Sequence, residues 1–93
     1  MNYVIDKELL ELCKGLSNLW KQKYLLLEED AENVIKNNIT DSKVIENILD
    51  NLLDICEDEE TLLLFRKVCR YYYTINPMAT VDYINFYRKM YEM

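Results

Sequence analysis

The chain has one glycine, one proline and no histidine in 93 residues. So few backbone breakers argue against turn-rich sheet architectures and for helices, because tight turns draw on glycine and proline. The period-two alternation of polar and apolar residues expected of half-buried strands is missing as well. Lack of histidine removes the commonest general base near neutral pH and the nitrogen ligand of most zinc sites. Cys13, Cys56 and Cys69 are odd in number and too widely spaced to form a ligand pair, so they read as reduced thiols on apolar helix faces. The longest purely apolar runs, Tyr24 to Leu27 and Leu62 to Phe65, are four residues each, and Met1 to Asp6 lack the basic and apolar parts of a signal peptide. Neither a membrane span nor export is expected, which leaves the cytoplasm as the expected location.

What the chain does have is 51% hydrophobic and 30% charged residues, enough apolar content to fold as one domain over 1–93. From Lys7 to about Lys36 the apolar residues, among them Leu9, Leu12, Cys13, Leu16, Leu19, Trp20, Tyr24, Leu27, Ala31, Val34 and Ile35, keep one helical phase. Asp6 is its candidate N-cap and Gly15 its point of possible bending. The loop chemistry of Asn37 to Ser42 ends this helix. A second helix is expected over about Ser42 to Cys56, with Val44, Ile45, Ile48, Leu49, Leu52, Leu53, Ile55 and Cys56 on one half and Glu46, Asn47, Asp50, Asn51 and Asp54 on the other. Asp58 can cap a third helix reaching Tyr73, whose apolar arc is wide enough to pack on two sides. Asn76-Pro77 signals a fourth, with Ala79, Tyr83, Ile84, Phe86, Tyr87, Met90 and Tyr91 on its apolar face. The expected fold is therefore all-α: a four-helix bundle-like domain with one long N-terminal helix and three shorter ones. A helix of about 45 Å outruns a partner of half its length, so either two short helices line up along it or a second copy of the chain covers the rest.

Charge is unevenly distributed. Twelve of the seventeen carboxylates fall between Glu28 and Glu60, opposed there only by Lys36 and Lys43, while the first 27 residues sum to +1 and the last 33 to +3. Glu46, Asp50 and Asp54, continued by Glu57, form a ridge at intervals of four on the second helix, where like charges destabilise by a few tenths of a kcal/mol per pair. This ridge reads either as a solubilising face or as a contact surface for a basic protein, with a carboxylate row standing in for nucleic-acid phosphates. Arg66, Lys67, Arg70, Arg88 and Lys89, interleaved with tyrosines, resemble a small nucleic-acid patch, for which the competing account is internal pairing with the acidic second helix. The run Glu57-Asp58-Glu59-Glu60 lacks the alternating ligands and glycine of a calcium loop, so no metal or other cofactor is expected. With no histidine, no phosphate-cradling glycine loop and serines without a base, an enzyme is not expected either.

From Leu52 onward a series of segments carries a resemblance: Leu52-Leu53-Asp54-Ile55-Cys56-Glu57-Asp58, Leu64-Phe65-Arg66-Lys67-Val68-Cys69-Arg70-Tyr71-Tyr72-Tyr73, Ile75-Asn76-Pro77 with Ala79-Thr80, Tyr83-Ile84-Asn85, and Tyr87-Arg88-Lys89-Met90-Tyr91. It is similar to small acidic proteins of phages and mobile elements in Firmicutes-type bacteria. The resemblance covers less than half of the chain and implies no catalytic residues. It implies a class of partner, since small acidic phage proteins often inhibit host machinery, anti-CRISPR proteins being one example. The expectation is a cytosolic, non-enzymatic domain that binds a basic, nucleic-acid-binding protein through Glu46, Asp50, Asp54 and Glu57. The alternatives are a homodimeric interaction protein and a nucleic-acid binder using the basic patch.

Overall fold

A computed structural model describes residues 7–56 and 58–92, with side chains described from residue 19 onward. Among the described residues the fold is all-α: α1 (Lys7–Lys36), α2 (Ser42–Asp54), α3 (Glu59–Tyr73) and α4 (Pro77–Tyr91). Expectations for Asp6, for Glu57 and for the side chains of Leu9, Leu12, Cys13 and Leu16 lie outside the described residues, while α1 runs through Gly15 without a break.

Helix ends follow local hydrogen-bond chemistry. At the C-terminus of α1, Asn38 takes a left-handed backbone with φ of 52°, the Ile39 amide donates to the Val34 carbonyl and the Asn38 amide to the Ile35 carbonyl. That pair of bonds is a Schellman motif, with asparagine in the place glycine most often fills. Asp41 caps α2 by accepting from the Lys43 amide at 2.9 Å, Asp58 caps α3 by accepting from the Thr61 amide at 2.8 Å, and Asn76 caps α4 by accepting from the Ala79 amide at 3.1 Å. Helix α2 ends two residues before the expected Cys56. There the Ile55 amide reaches back to the Leu52 carbonyl in a tighter turn, and Cys56 is buried in the turn rather than in the helix.

The core is built from Leu27, Ala31 and Val34 of α1, five residues of α2 from Ile45 to Leu53, and Leu64, Phe65, Val68, Cys69 and Tyr72 of α3, with Tyr83 reaching in from α4. Helix α3 touches all three other helices, which accounts for its wide apolar arc. Helix α4 packs mainly on α3, and Ile84, Phe86 and Met90, expected on its buried face, are exposed on its flanks. The radius of gyration is 16.3 Å, above the roughly 12 Å of a compact domain of this length. The elongation follows from α1, whose 30 residues face helices of 13 and 15.

Candidate functional site

The acidic ridge is divided between two surroundings. Glu46 is half-buried and accepts a 2.5 Å hydrogen bond from the hydroxyl of Tyr72, itself 0% exposed in the core. Burial and then the Glu46 carboxylate push the Tyr72 hydroxyl pKa upward. Asp50 is exposed; burial first, and then the neighbouring Asp50 carboxylate, push the Tyr83 hydroxyl pKa upward. Two carboxylates of α2 therefore serve tyrosines arriving from α3 and α4. A buried phenol needs an acceptor, and a carboxylate at the rim supplies one while keeping its own charge hydrated. Asp54 is exposed and Glu57 is outside the described residues.

Asp54 opens onto a groove of about 550 Å³ between α1 and the corner joining α2 to α3, lined by Trp20, Lys21, Tyr24, Asp54, Ile55, Asp58, Glu60 and Thr61. Tyr24 donates to Glu28 at 2.8 Å. Its hydroxyl pKa is raised by burial first, then by Glu28, Glu60 and Asp58. Asp58 is held below the ordinary carboxylate range by hydrogen bonds from the Thr61 side chain and amide. Sequence reasoning does not bring Trp20 and Tyr24 to this corner. Its available signal was Trp20 itself, on the core-facing stripe of α1 two turns before Leu27.

The basic residues do not form one patch. Arg66 and Arg70 are exposed beside an apolar groove between α3 and α4, about 380 Å³, that also contains Phe65, Cys69, Tyr73, Thr80 and Ile84. Arg88 and Lys89 lie in a separate shallow depression with Asn85 and Glu92, and Lys67 is exposed outside both. Among the described residues the ion pair formed is Arg88 to Glu92 at 3.5 Å, within α4. Among the described residues the expected pairing of these cations with the acidic second helix does not occur. Helix α2 presents its carboxylates to tyrosine hydroxyls and solvent instead.

Among the described residues no three cysteine or carboxylate groups cluster so as to hold a metal ion. None of the described helices is long and apolar enough to cross a membrane. Comparison with protein-family models, curated proteins and solved structures finds no match for this chain.

Proposed function

We propose that this protein is a non-enzymatic cytoplasmic domain that binds a basic surface of another protein through its acidic face. In the finer reading it is an inhibitor from a phage or mobile element that occupies a host protein's nucleic-acid-binding surface. The observation that supports this is uncompensated charge: among the described residues, none of the carboxylates from Glu28 to Glu60 has a cation within ion-pair distance. Unpaired charge of one sign on a small domain steers and orients an oppositely charged partner. Glu46 is half-buried beneath its bond to Tyr72, so in this reading the contact is made by Asp54 and Glu57 together with Asp50, which is exposed although it also lies beside Tyr83.

The test is capture from bacterial lysate with the wild-type chain and with Asp50→Lys, Asp54→Lys and Glu57→Lys combined, after circular dichroism has established that the variant is folded. Proteins retained by the wild type, released by moderate salt and missed by the variant are the expected outcome, and labelled DNA or RNA should be displaced from them by the wild-type protein. Equal retention by the variant would sink the acidic-face reading.

A homodimer is the second reading, supported by the exposure of Leu19 and Trp20 on α1, at 60% and 57%. Light scattering tests it, and a strict monomer at high concentration removes it. Direct nucleic-acid binding has weaker support, because its five basic residues are spread over separate surfaces.

A further inference from the structure

Trp20 lies seven residues before Leu27, nearly the same azimuth of α1 after two turns, yet it is 57% exposed where Leu27 is 6% exposed. The difference is one of reach. Among the described residues of α1, partly buried packing against the core begins at Tyr24, and the indole forms one wall of the groove at the corner of α2 and α3. The opposite side holds Asp54, Asp58 and Glu60. All three are exposed carboxylates, and among the described residues none of them is in an ion pair. Among the described residues Lys21 is the one cation lining the groove.

An aromatic face beside clustered negative charge favours a cation that is flat, permanently charged and able to fork onto carboxylate oxygens. Guanidinium has all three properties, whereas ammonium is a compact, strongly hydrated point charge. A bound metal ion is a poorer fit, since the groove's carboxylates do not converge as a ligand set and Asp58 already gives an oxygen to the Thr61 amide.

Resting on the acidic-face reading above, we propose that this groove docks an arginine-bearing segment of the partner protein, with a guanidinium stacked on Trp20 and bonded to Asp54 or Glu60. This identifies the partner's contact chemistry and moves its centre from the middle of α2 to the α2–α3 corner. Lys21 is then a built-in competitor that limits affinity for weakly basic segments.

Trp20 is the only tryptophan of the chain, so its emission reports the groove directly. The full-length protein is titrated in low salt with oligoarginine and with oligolysine of equal length, following both Trp20 fluorescence and calorimetric heat. Oligoarginine should shift or quench the emission and bind about tenfold more tightly than oligolysine. Asp54→Asn with Glu60→Gln should weaken it by a similar factor, and Lys21→Gln should tighten it. Calorimetric binding of oligoarginine without any change in Trp20 emission, and unaltered by the Asp54 and Glu60 variants, would overturn the groove while leaving the acidic face intact. Equal affinity for both peptides overturns it too, because undirected attraction does not distinguish the cations. Failure of the wider reading is seen separately, in lysate capture by the Asp50, Asp54 and Glu57 reversal.

Discussion

The contact between Tyr72 and Glu46 joins α3 to α2 through one hydroxyl, and its two ends differ in what they lose when broken. Tyr72→Phe removes the donor and leaves Glu46 with access to water, so urea unfolding should show a loss of about 1 kcal/mol. Glu46→Leu leaves a phenol in the core without its carboxylate, and should cost more, about 1–3 kcal/mol. A smaller loss for Glu46→Leu than for Tyr72→Phe would contradict the packing role given to Glu46. The thiols are a second residue-scale case. Burial pushes Cys56 up to about 11 and Cys69 up to about 12, so little thiolate exists in the fold near neutral pH. Alkylation mapped by mass spectrometry should be at least about a hundredfold slower at these two positions in the folded chain than in the denatured one. The same shifts set an alkaline limit. A thiol whose folded value is raised contributes stability that is complete below its unfolded value, about 8.5, and is lost as pH climbs toward the folded value. Tyr72 and Tyr83, also raised, act in the same direction above about 10. Unfolding free energy should accordingly fall from pH 8 to pH 11, and a flat profile would show that these groups are solvated.

At the scale of the helix, the caps were legible because each rests on a single side chain and a few backbone groups. Asp58 before Glu59 and Asn76 before Pro77 are local chemistry, and the structure uses both. The end of α2 was not legible, because Ile55 and Cys56 continue the apolar pattern whether they lie in a helix or in a buried turn. The exposure of Ile84, Phe86 and Met90 was hidden for a different reason: periodicity states which residues share a face, while neighbours decide how much of that face is covered. Glu46 illustrates the same limit for the candidate site. Its spacing from Asp50 and Asp54 is readable in the sequence, but its acceptor role depends on Tyr72, 26 residues away. Asn38 carries the prediction at this scale. Its left-handed backbone is tolerated by asparagine and easier for glycine, so Asn38→Gly should raise stability by a few tenths of a kcal/mol. Asn38→Val should lower it by about 1–2 kcal/mol, because its two γ-methyl groups crowd the backbone and it lacks the short polar side chain that lets asparagine tolerate this region. Equal melting temperatures for the two variants would mean that the Schellman turn does not hold the α1–α2 connection.

Over the whole molecule, the carboxylates between Glu28 and Glu60, an acidic belt along the chain without ion pairs among the described residues, set stability against the proposed recognition. Carboxylates without cation partners repel one another in the folded chain more than in the expanded unfolded one, so they weaken the fold, and under the proposed function the same charge would draw a basic partner. Salt screens both effects, with a Debye length of about 10 Å at 0.1 M. Raising the salt concentration should therefore increase the melting temperature by a few degrees, at about 4–8 °C per kcal/mol for a domain of this size, while reducing retention of a basic partner. Neutralising the belt locally separates the two effects. Asp50→Asn with Asp54→Asn should melt no lower than the wild type and should show a smaller rise with salt, yet should retain less partner at low salt. A belt that served only solubility would give the same thermal result with retention unchanged, so the pair of measurements decides between a surface kept for binding and one kept for dispersal. A lower melting temperature at low salt would instead mean that these carboxylates stabilise the fold, as Glu46 does through Tyr72, and would withdraw Asp50 and Asp54 from the contact surface.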